Sequence, residues 1–386
     1  MSCEFYLNTK YYFGKNVVNN YLSKEIKNRR FKKIFLLYGG GSIKKNGIYD
    51  SLIKSFKKAK VEWIEHFGIK PNPIDIDTYN AALKGRKNKI DLIIAVGGGS
   101  VIDEAKVVAA LITNTQYKSC WDYVRNRGKI ITHKPIPVFS IVTLAATGSE
   151  NNYNSVITNS KTNDKWGLVN SERPIICFED PTYTYSVNKW QTGSGAFDIF
   201  SHLLENYYSI NQHFSWTKQY IIGNLKNVLK YAPVVLKHPN NYEARANLLW
   251  TSSFSLNGLS AINTDGGDWK VHGLEHAISG RWDVSHGAGL ALITPIYIKY
   301  MAKKSKKFYQ LSLELAKELF NVNTIPAYIK KIEQFIKLLG MPTKYTDFKQ
   351  INEITPKDLN WLSQAFDKNT PGYHKLGVDI YKLIKV

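Results

Sequence analysis

The stretch DLIIAVGGGS, at residues 91–100, decides the fold of the N-terminal half. Its apolar run has no charged residue after Asp91 and stops at three glycines and a serine. A second stretch, KIFLLYGGGS at 33–42, has the same pattern, and a third apolar run, PVFSIVTL at 137–144, stops shortly before TGSE at 147–150. Uninterrupted apolar strands that alternate with helices are typical of a parallel sheet with both faces covered. We therefore predict an α/β domain built on a parallel sheet.

The second half of the chain predicts helices alone. From about Thr192 onward, apolar residues recur at every third or fourth position, which is the period of a helix with one buried face. Two such stripes are Ala196, Ile199, Phe200, Leu203 and Leu204, and Phe308, Leu311, Leu315 and Leu319. The prolines expected to punctuate the helices are Pro181, Pro233, Pro295, Pro326 and Pro342. Because 386 residues exceed the roughly 250–300 at which one core stops growing, we predict two domains, at 1–185 and 186–386.

The net charge bears on the class of partner. A formal charge of +21 would suit a nucleic-acid-binding protein. The lysines, however, gather in short runs such as 54–60 and 303–307, beside helical apolar stripes, where lysine normally forms a solvated helix face. No nucleic-acid-binding motif accompanies them. Nucleic acid is therefore not an expected partner.

The cysteines and the apolar segments favour a cytoplasmic protein. Cys3, Cys120 and Cys177 are widely spaced and form no CxxC pair, so neither a disulfide framework nor a cysteine zinc site is expected. The N-terminal residues lack the apolar core of a signal peptide, and no apolar run approaches 18 uncharged residues. We expect a cytoplasmic protein with no membrane partner.

The glycine clusters after the apolar runs are candidate phosphate-binding turns. Without side chains, their backbone can approach an anion closely, and the N–H groups of the following helix face it. Ser100 and Asp103 fit a capping pattern that would start a helix at 101–111. Either cluster alone could equally be a plain turn. Two of them at the carboxyl ends of predicted parallel strands favour a ligand site, because open α/β sheets bind ligands at that edge.

Residues of the kinds that bind metals lie in the helical half. Asp198 and His202 are four residues apart and share a helix face, as do His272 and His276, and His286 follows. A single helical histidine is more often a packed or surface residue. As a group, one aspartate with several imidazoles is a plausible ligand set for Zn²⁺ or Fe²⁺. The spacing leaves open which of the histidines are ligands.

Motifs along nearly the whole chain resemble the iron-containing (group III) alcohol dehydrogenases, especially their bacterial NADPH-dependent butanol dehydrogenase branch. The motifs are FGK at 13–15, YGGGSIK at 38–44, PNP at 71–73, GGGSVID at 97–103, TLAATGSE at 143–150, DPTYT at 180–184, DIFSHLLE at 198–205 and HGLEHAISGRWDVSHGAG at 272–289. The resemblance implies an N-terminal dinucleotide-binding domain, a C-terminal helical metal-binding and substrate domain, the architecture shared with dehydroquinate synthase, a site in the cleft between the domains, and a homodimer.

The resemblance also implies roles for individual residues. It implies that the metal is bound by Asp198, His202, His272 and His286, and that His276 is a nearby catalytic group that is not a ligand. It implies that the cofactor's pyrophosphate region is bound by Gly98, Gly99, Ser100 and Asp103. The rest of the nucleotide would be contacted by Asn72, Thr143, Thr147 and Lys165. The segment 365–377 matches less clearly and could line the substrate pocket.

The reaction implied is hydride transfer between NAD(P)H and a small primary alcohol or aldehyde. Three neutral imidazoles and one carboxylate leave a divalent metal with a net charge of about +1, so it can lower the pKa of an alcohol or polarise a carbonyl. The alternatives are a lyase of the dehydroquinate synthase type, which the Asp198–His202 pair argues against, and a basic nucleic-acid-binding protein.

The loop after the first long apolar run bears on the choice of cofactor. Members of this family that prefer NAD carry aspartate just after the first strand. The corresponding position in this chain is Gly39, followed by Gly40, Gly41 and Ser42, and no carboxylate occurs before Asp50. A 2′-phosphate would meet backbone N–H groups, the Ser42 hydroxyl and a lysine, either Lys44 or Lys45. We predict a preference for NADP(H) over NAD(H); the alternative is a plain glycine turn without discrimination.

Overall fold

The structure, a computed structural model, describes residues 6–170, 172–211 and 215–385. It divides into two compact units, one spanning Tyr6–Val187 and the other continuing from Asn188. The division proposed from the sequence, between residues 185 and 186, lies close by. That the two units have separate cofactor and metal roles stays a prediction.

The first unit is built on a parallel sheet. Its strands are β1 (Lys10–Phe13), β2 (Lys33–Tyr38), β3 (Glu62–Phe67), β4 (Leu92–Gly97), β5 (Val138–Val142), β6 (Asn154–Thr158), β7 (Lys165–Val169) and β8 (Ile176–Glu179). Six of them pair in parallel in the order β1-β8-β5-β4-β2-β3, while β6 and β7 form an antiparallel pair. The predicted α/β fold with a parallel sheet is confirmed.

Helices connect these strands. They are α1 (Ser23–Asn28), α2 (Ser42–Lys45), α3 (Ile48–Ala59), α4 (Asp75–Lys87), α5 (Gly99–Thr113) and α6 (Cys120–Arg125). The central strands β2, β4 and β5 are almost entirely buried, which explains their uninterrupted apolar sequence. Tyr38 pairs with Val96, and Gly97 with Val142. The three loops that follow β2, β4 and β5 therefore start at the same edge of the sheet.

The start of α5 differs from the prediction. The helix begins at Gly99, with extended Gly98 as its capping residue, rather than at residue 101. The Asp103 carboxylate does not cap it, because it accepts hydrogen bonds from the Ser149 hydroxyl and the Val156 N–H. No side chain caps the first turn of α5, so the glycine backbone itself forms that end.

The regular secondary structure described in the second unit, over residues 188–211 and 215–385, is helical. Its helices are α7 (Lys189–Tyr208), α8 (Ser215–Lys237), α9 (Tyr242–Ser255), α10 (Lys270–Trp282), α11 (His286–Lys304), α12 (Lys306–Phe320), α13 (Ile325–Leu338), α14 (Pro356–Asn369) and α15 (His374–Lys385). The expectation that prolines separate helices is wrong for Pro233 and Pro295, which lie inside α8 and α11. Both helices have long buried faces, which offset the ~3 kcal/mol that an interior proline costs. None of the described helices combines the length and the apolar character needed to cross a membrane.

Candidate functional site

Four of the predicted metal-binding side chains meet in the second unit. Asp198 and His202 lie one turn apart on α7, His272 lies in the first turn of α10, and His286 begins α11. The Oδ1 atom of Asp198 is 3.6 Å from Nε2 of each of the three histidines. Tetrahedral ligands around Zn²⁺ or Fe²⁺ stand about 3.4 Å apart. Each of the three imidazole nitrogens therefore lies at nearly the distance from the carboxylate oxygen that two ligands of one metal ion have.

Glycine lets the helices come close enough for this arrangement. A Cβ atom at Gly287 would stand 1.9 Å from the Ser194 carbonyl oxygen on α7, and one at Gly289 would stand 2.7 Å from Cγ of Glu275 on α10. Any larger residue would push α11 away from α7 and α10. The glycines that follow His286 therefore bring that imidazole to Asp198.

Two buried glutamates, which the sequence analysis did not single out, lie behind two of the imidazoles. Oε2 of Glu205 is 2.9 Å from Nδ1 of His272, and the Glu275 carboxylate pairs with Nδ1 of His286. A carboxylate on one ring nitrogen fixes the tautomer that presents the other nitrogen to a metal. Both glutamates lie three residues after a histidine, Glu205 after His202 and Glu275 after His272, which is a sequence signal that could have found them.

Burial and charge set the protonation of the cluster. Burial lowers the pKa of His202 to about 3, so this imidazole is neutral, the form that binds metals. Burial alone would raise the pKa of Asp198, but His202, His272 and His286 hold it below its ordinary value. Burial would likewise lower the pKa of His272, but Glu205 and Asp198 raise it to about 10.

Three side-chain atoms of these four residues are left without a hydrogen bond inside the described part of the protein. They are Asp198 Oδ1, His202 Nδ1 and His272 Nε2, all of them buried. Buried polar atoms are normally satisfied. Because Asp198 Oδ1 and His272 Nε2 face each other at 3.6 Å, with Nε2 of His202 and of His286 at the same distance from Oδ1, the residues fit a bound divalent cation.

His276 lies next to this cluster without belonging to the four. It is buried on α10, with its ring 5.4 Å from that of His286 and 6.4 Å from that of His272. Nδ2 of Asn369, on α14, is 3.3 Å from its Nδ1. When the amide donates to Nδ1, the neutral imidazole carries its proton on Nε2. Asn369 falls within the segment 365–377; that the segment lines a substrate pocket stays a prediction.

The predicted cofactor residues lie in the first unit, most of them near the edge where β2, β4 and β5 end. Gly98, Gly99 and Ser100 form the start of α5, and a Cβ atom at Gly99 would stand only 2.4 Å from the Thr147 side chain. The Thr143 N–H, directly after β5, donates to the Gly97 carbonyl.

The remaining cofactor residues are held by protein groups. Nζ of Lys165 donates to Oδ1 of Asn72 at 2.8 Å. Both Asp103 oxygens already accept hydrogen bonds from the Ser149 hydroxyl and the Val156 N–H. This arrangement favours a structural role for Asp103, and its predicted contact with the pyrophosphate stays a prediction.

The Gly39–Ser42 loop lies beside a cluster of aromatic rings. The Lys44 ammonium lies 5.6 Å, 5.0 Å and 5.8 Å from the ring centroids of Tyr38, Tyr49 and Phe67. The nearby Glu65 carboxylate accepts hydrogen bonds from the hydroxyl groups of Tyr38 and Tyr49, at 2.7 Å and 2.6 Å. Of Lys44 and Lys45, it is Lys44 whose ammonium lies against these rings, beside the Gly39–Ser42 loop.

Comparison with known proteins gives matches over most of the chain. A family model described as iron-containing alcohol dehydrogenase matches residues 8–181, and one described as the C-terminal part of the Fe-containing alcohol dehydrogenase family matches residues 192–370. NADH-dependent butanol dehydrogenase A of Clostridium acetobutylicum is 36% identical over 352 residues, covering 89% of this chain and 88% of that protein. The NADPH-dependent aldehyde reductase of Escherichia coli is 30% identical, covering 97% and 96%. The crystal structure of NADH-dependent butanol dehydrogenase A from Thermotoga maritima superimposes with a TM-score of 0.92 at 34% identity, covering 100% of this chain and 99% of that one.

Proposed function

The chain belongs to the family of iron-containing alcohol dehydrogenases, and we propose that Asp198, His202, His272 and His286 hold its catalytic metal. It is a metal-dependent oxidoreductase that transfers hydride between a nicotinamide cofactor and an alcohol or aldehyde. The lyase and nucleic-acid alternatives are not favoured, because the matching families and relatives are dehydrogenases and reductases.

One observation carries the ligand assignment: a single carboxylate oxygen faces three imidazole nitrogens at the same distance, 3.6 Å, in a buried site. Imidazole and carboxylate suit both Fe²⁺ and Zn²⁺, so either ion is compatible with the set. When bound, the divalent ion supplies Lewis-acid chemistry, polarising a carbonyl or lowering the pKa of an alcohol.

His276 is proposed as the group that moves the proton. Aldehyde reduction needs one proton on the oxygen after hydride arrives at carbon, and alcohol oxidation releases one. The Asn369 amide, 3.3 Å from Nδ1, holds the ring in place. As the imidazolium, His276 would donate a proton from Nε2 and become neutral, and in the opposite direction the neutral ring would accept the alcohol's proton and become the imidazolium.

A single substitution with a matched control tests the ligand set. His272→Ala should remove the metal, measured by elemental analysis, and nearly all turnover, measured as NADPH or NADH oxidation against a panel of short and medium-chain aldehydes. Cofactor binding should persist. The control is His238→Ala, at the exposed C-terminal end of α8, which should keep both metal and activity. A His272→Ala protein with full metal content and full activity would show that the ligand set is wrong.

The preference for NADP(H) is also a proposal, and the relatives do not decide it. The Clostridium acetobutylicum protein is named NADH-dependent and the Escherichia coli protein NADPH-dependent. In this chain, each oxygen of the carboxylate near the loop, Glu65, already accepts a hydrogen bond from a tyrosine hydroxyl, which reduces its capacity to bind a ribose hydroxyl. The ammonium of Lys44 adds positive charge beside Gly39–Ser42, where a 2′-phosphate would be attracted. We therefore expect a higher kcat/KM with NADPH than with NADH.

We also propose that the protein is a homodimer in the cytoplasm, as the family resemblance implies. Size-exclusion chromatography with light scattering tests the dimer, and a monomeric mass for the active enzyme would contradict it.

A further inference from the structure

Glu205 contacts His272, a proposed metal ligand, through both the backbone and the imidazole ring. It is buried on α7, three residues after His202. Its Oε1 accepts hydrogen bonds from the backbone N–H groups of Val271 at 2.6 Å and His272 at 3.1 Å, and its Oε2 lies 2.9 Å from Nδ1 of His272. One carboxylate therefore binds both the backbone and the ring of the same histidine.

The backbone contacts cap the start of α10. The first N–H groups of a helix have no partners within it, and a carboxylate there also interacts favourably with the helix dipole. The residue before α10, Trp269, has a left-handed backbone (φ 49°) and supplies no side-chain cap. The Asp268 N–H donates to the Glu205 carbonyl at 3.0 Å. Glu205 thus ties the beginning of α10 to α7, the helix that carries Asp198 and His202.

The ring contact sets which nitrogen of His272 faces the site. When Oε2 of Glu205 accepts from Nδ1–H, the neutral form of His272, which is the form that binds a metal, has its lone pair on Nε2, the atom that lies 3.6 Å from Asp198 Oδ1. The Trp269 ring packs edge-on against His272 with 5.4 Å between centroids, which limits the ring's movement on another side. The orientation of His272 is therefore fixed before any ion arrives.

We propose that Glu205 is a positioning residue that presents Nε2 of His272 to the metal and thereby sets the metal affinity of the site. This inference rests on the proposed ligand set. Carboxylates behind ligating histidines typically change metal affinity by about 10–100-fold. Glu205 performs two such tasks at once, through the ring and through the helix start.

The experiment separates the ring contact from the cap. In Glu205→Gln, the amide oxygen can still accept from Val271 and His272 N–H, but the amide NH₂ replaces the acceptor that faced Nδ1. Metal-free full-length protein is titrated with Co²⁺, and the dissociation constant and visible absorption spectrum are recorded. We expect binding about 10–100-fold weaker and an altered spectrum. The structural control is Asp180→Asn, which weakens a buried carboxylate cap at Pro181–Thr184 in the first unit and should leave cobalt binding unchanged.

Parallel titrations of the variants test the ligand set and the positioning role of Glu205 separately. If His272→Ala also keeps wild-type cobalt affinity, the ligand set itself is wrong. If His272→Ala loses cobalt while Glu205→Gln binds it with wild-type affinity and spectrum, the positioning role is overturned and the ligand set stands. Should Glu205→Gln not fold, Glu205→Asp decides, because its shorter carboxylate keeps the charge but withdraws from Nδ1. Weakened cobalt binding by that variant supports the proposal, and wild-type binding rejects it.

Discussion

A methyl group added at Gly99 tests whether the start of α5 and the loop after β5 act together as a cofactor site. The added Cβ atom would lie 2.4 Å from both Oγ1 and Cγ2 of Thr147 and 2.9 Å from its Cβ. Non-bonded carbon atoms settle about 3.5–4.0 Å apart. Gly99→Ala must therefore displace Thr147 by about 1 Å relative to α5.

Two costs follow from that displacement. Overpacking of this kind destabilises a protein by about 1–3 kcal/mol. If Thr147 also donates a hydrogen bond to a neutral group of the nucleotide, its loss removes a further ~0.5–1.5 kcal/mol of binding free energy. At about 1.4 kcal/mol per tenfold, this loss corresponds to a cofactor dissociation constant raised by about 2–12-fold.

A glycine away from the predicted cofactor residues provides the control. A Cβ atom at Gly223, on α8, meets nothing within 4 Å. Gly223→Ala should therefore leave cofactor binding unchanged.

The assay is a fluorescence titration with NADPH, accompanied by thermal unfolding to record stability separately. A double-mutant cycle gives the sharpest criterion. In a Thr147→Ala background, Gly99→Ala should cost much less affinity, because the hydrogen bond has already been removed. Equal losses in both backgrounds, or wild-type affinity in Gly99→Ala, would refute the idea that these two residues form one binding element.

Further predictions concern His276 and cofactor choice. His276→Ala should retain the metal but lose rate by ~10²–10⁴-fold, the range for a positioned acid–base group; loss of metal would reveal a misassigned ligand set. Gly40→Asp should sharply weaken a preference for NADPH through like-charge repulsion, whereas the isosteric Gly40→Asn should not, as kcat/KM for both cofactors will show. Gly40 is the better position than Gly39, where a Cβ atom would stand 3.3 Å from the Ile69 carbonyl oxygen. Lys44→Gln should lower the NADPH preference more than Lys45→Gln. An unmodified enzyme that prefers NADH would reject the predicted NADP(H) preference and leave the dehydrogenase assignment standing.

Much of the fold could be predicted from the sequence because burial on both faces leaves a clear pattern. The strands β2, β4 and β5 coincide with the three apolar runs that were identified, and their glycine-rich ends lie at one sheet edge. The less apolar strands gave no comparable signal: β3, the edge strand Glu62–Phe67, contains two glutamates and a histidine. The start of α5 was placed two residues late because a backbone cap by Gly98 resembles an ordinary turn in sequence.

At the candidate metal site, residue spacing predicts which side chains share a helix face, but only the folded structure shows which helices come together. On α7, Asp198, His202 and Glu205 follow one another at intervals of four and three residues, so the sequence already places all three on one helix face. The aspartate and histidine were recognised because they are common metal ligands, whereas the glutamate was passed over because its partner, His272, lies 67 positions away. Only the fold brings the N-terminus of α10 onto that glutamate. On α7, the acidic residue one turn after a proposed histidine ligand thus pairs with a second, distant proposed ligand. Within α10, Glu275 shows the same pattern: it lies three residues after His272 and is paired with His286 on α11.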